Sequence, residues 1–240
     1  MSDTETPVAE PLTVTVEDGV VVVRLDDGKL NVIGHRTIEL VHAALDRALA
    51  EATAVAVVGR PGVLSAGYDL NEVRASDERM RALVGAGGHL AMRIFAHPQP
   101  VVIGVTGHAL AAGAIISLAC DTRIGADVDA KIGLNETAIG MPLPVYATEL
   151  SKARLTARGL VEGTLQGGVY DVAGALEVGF LDRVVPAAEC EQAAIETARR
   201  LGRLRPEAYS ITKALLRAEV AERVDAGIDE NMATLLAPTV

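Results

Sequence analysis

Two turns built from small residues are the first candidates for chemistry in this sequence. One runs from Leu64 to Asp69, and the other contains Ala111, Ala112 and Gly113. Each turn leads from a predicted buried strand into a predicted helix, where the first backbone N–H groups lack partners and the positive end of the helix dipole points outward. Two such helix starts that face each other can hold an oxyanion. On composition alone, tight packing of each strand against its helix explains the same pattern.

Several common catalytic motifs are missing from the chain. There is no Gly-x-x-x-x-Gly-Lys-Ser/Thr loop, no Gly-x-Gly-x-x-Gly turn after a strand, no His-Glu-x-x-His pair and no Gly-x-Ser-x-Gly elbow. The sequence therefore argues against nucleotide hydrolysis, dinucleotide-dependent redox chemistry and serine-hydrolase chemistry. Cys120 and Cys190 form no Cys-x-x-Cys pair and lie near no His at a metal-ligand spacing, so we expect no metal.

Composition narrows the possible partners. Half of the 240 residues are apolar, which is enough for one substantial core. Twenty-two Lys and Arg stand against thirty-two Asp and Glu, and the net charge of −10 argues against binding to nucleic acid or to an anionic membrane. Aromatic residues make up only 2% of the chain, which disfavours a base-stacking surface.

One uncharged stretch, Val101–Cys120, has the length of a membrane span. Its first half is β-branched, and Gly104, Gly107 and Gly113 interrupt it, so we expect a buried strand, a turn and a buried helix instead. Residues 1–10 are acidic and contain no signal-peptide pattern, which predicts a frayed, disordered tail. A cytoplasmic protein without a membrane span is the resulting expectation.

The elements that must position the two turns follow from the hydrophobic pattern. Asp18-Gly19 separates two short apolar runs and predicts a β-hairpin. A helical period over His35–Glu51 followed by an apolar run at Ala54–Val58 predicts a β-α-β unit. Further along, the pattern predicts a long helix at Asn71–Ala96, strands at Val101–Val105, Thr122–Gly125 and Leu181–Pro186, and amphipathic helices near Ala187–Leu201 and Pro206–Arg223.

Five blocks of the sequence resemble, in order and spacing, those of the crotonase superfamily of enoyl-CoA hydratases and isomerases. The blocks are Lys29-Leu30-Asn31-Val32, Leu64 to Leu70, Gly107 to Gly113, Ala119 to Ile124, and Gly179 to Pro186. The resemblance covers about Val14 to Arg217. It implies an α/β fold of the ClpP/crotonase type, a spiral of ββα turns that forms two sheets. It also implies a spiral core over residues 11–186 and a C-terminal helical region over 187–240, which mediates a homotrimer or a dimer of trimers.

The same resemblance implies which amides form the oxyanion hole. They are the backbone N–H groups of Tyr68, just after the Ala-Gly pair, and of Ala112, in the middle of a block that is usually Gly-Gly-Gly. Ala111 and Ala112 replace two of those glycines. A backbone N–H donates whatever the side chain is, so the hole survives provided that Ala112 needs no positive φ.

For the acid and base, the resemblance points to one carboxylate. Glu136 lies in the block Ile132 to Thr137, which is similar to that of 3,2-trans-enoyl-CoA isomerases, whereas the first glutamate of the hydratases is replaced by Ile115. Pro144 occupies the place where dienoyl-CoA isomerases and dehalogenases carry an Asp. A shift of a double bond from C3 to C2 needs one base, while hydration also needs an oriented water and a proton for C2.

The resemblance is compatible with three functions. We expect an enoyl-CoA isomerase of fatty-acid metabolism, with a hydratase that uses Glu136 alone and a non-catalytic acyl-CoA-binding protein as alternatives. The nearby acids Asp69 and Asp121 are interpreted as turn or cap residues. His89 and His108 are interpreted as packed or rim residues rather than catalysts.

The resemblance also implies where coenzyme A lies as part of the substrate. Its pantetheine and adenine are expected against Leu30, Ala66 and Leu70, with Lys29 as the candidate for a phosphate contact. No separate cofactor is expected.

Overall fold

A computed structural model of the chain describes residues 10–235. Of the predicted tail, only Glu10 lies within that part, and residues 236–240 also lie outside it. The strands are β1 (Leu12–Glu17), β2 (Val20–Leu25), β3 (Ala54–Val58), β4 (Gly62–Ser65), β5 (Val101–Val105), β6 (Gly107–Leu110), β7 (Thr122–Asp127), β8 (Ile132–Gly133), β9 (Val169–Tyr170) and β10 (Arg183–Pro186). The α-helices are α1 (His35–Glu51), α2 (Leu70–Val73), α3 (Asp77–Ala96), α4 (Ala112–Ala119), α5 (Val145–Arg154), α6 (Ala157–Leu160), α7 (Val172–Val178), α8 (Cys190–Gly202), α9 (Pro206–Ala226) and α10 (Ile228–Leu235).

The larger sheet begins with the predicted hairpin. β1 and β2 pair antiparallel, and Asp18 (φ 48°) and Gly19 (φ 79°) both have the positive φ that a type I′ turn requires. The remaining strands are parallel, and the order across the sheet is β1-β2-β3-β5-β7-β10. A second sheet has the strand order β4-β6-β8-β9. The small-residue segments Ala66-Gly67 and Ala111-Ala112 follow its strands β4 and β6.

Both faces of the larger sheet are covered by helices. Alternate residues of β2 point to opposite sides, so that Val21 and Val23 join one hydrophobic cluster while Val20 and Val22 join another. α1 contributes the residues of its predicted apolar face to the first cluster. Ala194, Ile195 and Ala198 of α8 belong to the second cluster. The predicted C-terminal helical region therefore completes the core.

The single helix predicted over Asn71–Ala96 was wrong, because the structure has two helices there. α2 ends at Val73, and Ser76 begins α3 by accepting a hydrogen bond from the Arg79 N–H (3.1 Å) with its side chain. The short α2 follows directly on the first small-residue turn, and the break separates it from α3.

Asp121 was also misinterpreted as a turn or cap residue. Its buried carboxylate accepts hydrogen bonds from the Lys213 Nζ (2.7 Å) and the Arg217 Nη1 (2.6 Å) of α9. Burial alone would raise the pKa of this carboxyl, but the two cations hold it below the ordinary value. Asp121 thus anchors the long C-terminal helix to the sheet.

In the uncharged stretch Val101–Cys120, β5 and α4 are the predicted strand and helix, but a second strand, β6, occupies Gly107–Leu110, where a turn was predicted. Within residues 10–235, none of the helices combines the length and the apolar character that crossing a bilayer requires.

Candidate active site

Three neighbouring parallel strands of the smaller sheet end at one edge. β4 pairs with β6, and β6 pairs with β8, all in the same direction. The segments that follow these strands are Ala66-Gly67-Tyr68, Ala111-Ala112-Gly113 and Leu134-Asn135-Glu136. Since the carboxyl ends of parallel strands lie at the same edge, the sheet brings together all three segments that carry the predicted catalytic groups.

The two small-residue turns are packed face to face. A methyl group added at Gly67 would lie 3.1 Å from the Ala111 Cβ and 3.7 Å from the Ala112 nitrogen. A methyl group at Gly113 would lie 2.7 Å from the Ser65 carbonyl oxygen. These glycines are therefore needed for the close approach of the turns.

The predicted amides of Tyr68 and Ala112 are not used by secondary structure. The Ile33 N–H donates to the Gly67 carbonyl (2.9 Å) and the Asp69 N–H donates to the Ile33 carbonyl (3.1 Å), so Tyr68 lies between two bonded groups with its own N–H on the other side. Ala112 is the first residue of α4, and its N–H has no acceptor inside the helix. In the part of the chain that the structure describes, neither N–H donates to another backbone group.

Ala111, rather than Ala112, takes the conformation that glycine would favour. Its φ is 48° and its ψ is −122°, and it is one of three non-glycine residues with positive φ in the described chain. Such a conformation costs an L-residue about 1–3 kcal/mol. Ala112 begins the helix without this constraint, so the condition for its amide to remain available is met.

Glu136 is a buried carboxyl, with 8% of its surface exposed. Burial raises its pKa to about 7, and a hydrogen bond from its own backbone N–H only partly offsets this effect. Within residues 10–235, Glu136 Oε2 has no hydrogen-bond partner. A buried oxygen without a partner, on a group that titrates near neutral pH, is suited to accept a proton from a bound molecule.

Apolar residues occupy α4 and the segment that precedes this carboxyl. Ile115 is buried one helical turn after Ala111, whose carbonyl accepts the Ile115 N–H (2.9 Å). Leu134, two residues before Glu136, is fully buried. The position at which a second glutamate would have stood is therefore an apolar part of the core.

Tyr146 is a residue that the sequence reasoning missed. It is fully buried in α5, and its hydroxyl lies 2.9 Å from that of Tyr68. Burial raises the pKa of both tyrosines, and the charge of Glu136 raises both further. The only sequence signal was its rarity, since the chain has just four tyrosines.

The predicted coenzyme A contacts lie beside the first turn. The Ala66 N–H donates to the Leu30 carbonyl (3.0 Å), and Leu30 and Leu70 are 55% and 54% exposed. Lys29 is exposed, and the Asp27 carboxylate accepts its backbone N–H (2.7 Å). Two exposed leucines and a lysine thus border the site.

The other predicted polar residues lie outside the catalytic cluster. Asp69 accepts the Asn71 N–H (2.8 Å) and so caps α2, as predicted. His89 pairs with Asp225 (2.7 Å), and His108 accepts the Lys131 backbone N–H (2.9 Å) through Nδ1. Among residues 10–235, the His, Cys, Asp and Glu side chains form no group of three or more that could hold a metal ion.

Comparisons with known proteins show which family the chain resembles. The family model described as enoyl-CoA hydratase/isomerase matches residues 15–238. Human mitochondrial enoyl-CoA delta isomerase 1 is 31% identical over 167 residues, which cover 69% of this chain and 55% of that protein. The 2,3-dehydroadipyl-CoA hydratase of Escherichia coli is 28% identical, over 84% of this chain and 78% of that protein. The match therefore spans little more than half of the human relative.

A solved structure from Pseudomonas syringae, described as an enoyl-CoA hydratase/isomerase family protein, superposes with a TM-score of 0.90. It is 36% identical, and the alignment covers 94% of this chain and 98% of that one. The crotonase fold expected from the sequence is thereby confirmed.

Proposed function

This chain belongs to the enoyl-CoA hydratase/isomerase family, and from that premise we propose that it shifts the double bond of an enoyl-CoA thioester from C3 to C2. The observation that carries the proposal is the buried carboxyl of Glu136, whose pKa of about 7 leaves it half ionised at neutral pH. With Ile115 in place of a second glutamate, the site has one group that can move a proton on the acyl chain.

In the proposed reaction the thioester oxygen accepts hydrogen bonds from the Tyr68 and Ala112 N–H groups. The Glu136 carboxylate removes a proton from C2, and the electrons of that C–H bond form a dienolate whose charge lies on the thioester oxygen. Glu136 then returns the proton to C4, which leaves the double bond between C2 and C3. Each amide is expected to stabilise the transition state by roughly 3 kcal/mol.

A hydratase that uses Glu136 alone is the alternative favoured by a specific observation, because some relatives carry hydratase names. Hydration needs a water held beside C3 and a proton delivered to C2. Ile115 and Leu134 offer no hydrogen bond to such a water. A non-catalytic acyl-CoA-binding protein is a further alternative and predicts binding without turnover.

One assay separates the three functions. The purified protein is mixed with 3-hexenoyl-CoA, and the ultraviolet absorption of the conjugated thioester is followed; in parallel, 2-hexenoyl-CoA is tested for loss of that absorption by hydration. We expect rapid conjugation and little hydration. Fast hydration without conjugation would establish the hydratase instead. Tight binding without either reaction would establish the carrier, and full activity of Glu136→Gln would remove Glu136 from the mechanism.

We further propose that Lys29 contacts a phosphate of coenzyme A, since it is an exposed cation beside Leu30 in an acidic protein. Lys29→Gln is expected to raise KM without lowering kcat.

A homotrimer, or a dimer of trimers, is the proposed assembly. The exposed face of α9 carries Ile211, Leu215 and Leu216, which are 60%, 84% and 75% exposed in the single chain. Light scattering gives the mass directly, and a monomer would contradict this assembly.

A further inference from the structure

Arg154 binds the carboxyl end of α4, the helix whose first residue is Ala112. Its Nε donates to the Leu118 carbonyl (3.0 Å), and its Nη2 donates to the Cys120 carbonyl (2.7 Å). Leu118 lies in the last turn of the helix and Cys120 is its cap, where carbonyl groups lack donors inside the helix. The guanidinium therefore lies at the negative end of the helix dipole, opposite to the Ala112 N–H.

No carboxylate in contact with Arg154 neutralises its charge. Three other cations near the same end of α4 each form an ion pair: Lys213 and Arg217 with Asp121, and Arg123 with Asp182. Among residues 10–235, the hydrogen bonds of the Arg154 guanidinium go to main-chain carbonyls. Burial lowers the pKa of Arg154 to about 10, so the side chain stays protonated at neutral pH.

Packing fixes the guanidinium in this place. Its Cζ lies 5.6 Å from the centroid of the Phe95 ring of α3, which is a cation–π distance. Arg154 is itself the last residue of α5, the helix that follows the Glu136 segment. One side chain thus joins three helices, and it links the element after the proposed base to the helix that carries a proposed oxyanion donor.

The charge of Arg154 is close enough to act on the other end of α4. None of the eight residues of α4 is charged, and no side chain caps its first turn. A helix of this length spans about 11 Å, which leaves the guanidinium roughly 15 Å from the Ala112 N–H. In a protein, the attraction between opposite charges at this distance changes an equilibrium constant by about fivefold.

From this arrangement we infer that Arg154 is a positioning residue for the oxyanion hole, which acts through α4 by holding its carboxyl end and by balancing the negative charge there. The inference rests on the proposed function, in which the Ala112 N–H donates to the thioester oxygen. The negative charge on that oxygen is larger in the dienolate than in the bound substrate. The charge of Arg154 therefore stabilises the transition state more than the substrate, and affects kcat more than KM.

Two variants separate the charge of Arg154 from its bulk. Arg154→Met keeps an unbranched side chain without the charge, and its kcat for 3-hexenoyl-CoA is expected to fall about fivefold at nearly unchanged KM. Arg154→Lys keeps the charge and should retain most of the parent kcat. Arg158→Met is the matched control, because Arg158 is 69% exposed in α6 and its loss also removes one positive charge. Its kcat should match that of the parent.

Ionisation of bound acetoacetyl-CoA tests the charge effect without any turnover. This thioester forms an enolate that absorbs ultraviolet light, and the enolate charge lies partly on the thioester oxygen. The pH at which the bound thioester is half ionised should rise by about 0.7 unit in Arg154→Met, which corresponds to fivefold. It should stay unchanged in Arg154→Lys and in Arg158→Met. A role of Arg154 in stability alone would change the melting temperature of the variants but not this pH.

Thermal melting checks that each variant is folded, and Arg154→Gln, which keeps N–H donors without the charge, replaces Arg154→Met if that variant is not. Ionisation at the pH of the parent in the uncharged variant overturns the inference. So does Arg154→Lys if it ionises the ligand at the same raised pH as the uncharged variant, because the charge would then be irrelevant.

The two proposals fail in different ways. Conjugation of 3-hexenoyl-CoA without the expected shift removes the role of Arg154 and leaves the isomerase intact. The expected shift in a protein that conjugates nothing removes the isomerase and leaves the role of Arg154 in place.

Discussion

The backbone N–H of Ala111 donates a hydrogen bond to the carbonyl oxygen of Gly133, at 3.1 Å. This bond continues the pairing of β6 with β8 beyond Leu110, so the turn that carries the Ala112 amide is joined directly to the segment that carries Glu136. The segments that carry the amide and the carboxyl follow neighbouring strands of one sheet, so backbone pairing sets the separation of these two segments. A site with this construction is preorganised for charge that develops between the two groups.

The first prediction concerns the pH dependence of the reaction. Because burial raises the pKa of Glu136 to about 7, the ionised base is lost as the pH falls through that value. We expect kcat/KM for 3-hexenoyl-CoA to be constant well above pH 7, to be halved near pH 7, and to fall tenfold per pH unit below it. Initial rates in buffers of constant ionic strength measure the profile. A rate that stays flat through pH 7 would contradict the role of Glu136 as the base.

The second prediction concerns the effect of Glu136 on the stability of the folded protein, which is measured without a catalytic assay. The pKa of this carboxyl is 4.5 in the unfolded chain and about 7 in the folded one, so folding favours the protonated form. The stabilisation is complete below pH 4.5 and is lost as the pH rises through 7. Glu136→Gln has no such loss. It should therefore be more stable than the parent by about 3 kcal/mol above pH 7, and of similar stability near pH 4.5.

Urea unfolding at the two pH values measures this difference. Glu39, which is 67% exposed, provides a control, since Glu39→Gln should change the unfolding free energy little at either pH. A Glu136→Gln variant that is less stable than the parent at high pH would show that the buried carboxylate has partners that stabilise it.

Much of the fold was predictable because local signals and packing agree. Asp18-Gly19 forms the expected hairpin turn, and the apolar face of α1 is buried as its spacing indicates. The break between α2 and α3 was missed, because the helical period continues across it and only Ser76 marks the cap. The role of Asp121 was missed because its partners, Lys213 and Arg217, lie more than ninety residues away in sequence.

The site was predictable only as far as residue types allow. The resemblance picked out Tyr68, Ala112 and Glu136, and the structure brings the segments that carry them to one sheet edge. Burial of Glu136 depends on packing from several elements, which no local pattern displays. Gly87 gives no local signal of its role, whereas in the structure it makes room for the Tyr68 hydroxyl.

The third prediction concerns the strained residue at the second turn. Ala111 has φ 48° and ψ −122°, a combination that glycine adopts at lower cost. Ala111→Gly should therefore stabilise the protein by about 1 kcal/mol, or raise the melting temperature by about 2–4 °C, while the Ala112 amide stays in place. Ala114→Gly is the matched control. It removes a buried methyl group from the interior of α4 and should destabilise by about 1 kcal/mol or more. If Ala111→Gly lost stability as Ala114→Gly does, the conclusion that the backbone of Ala111 is strained would be wrong.

The last prediction compares two glycines of α3. A methyl group at Gly85 would lie 3.6 Å from Met232, an ordinary contact, so Gly85→Ala should stabilise the helix by up to about 1 kcal/mol. A methyl group at Gly87 would overlap the Tyr68 hydroxyl, and this ring is confined between α3 and Tyr146. Gly87→Ala should therefore destabilise the protein by about 1–3 kcal/mol. It should also lower kcat/KM, because the backbone of Tyr68 must shift and its N–H supplies one of the two proposed donors. Thermal melting and the conjugation assay measure both effects. If Gly87→Ala were as stable and as active as Gly85→Ala, the Tyr68 side chain would not occupy the space beside α3.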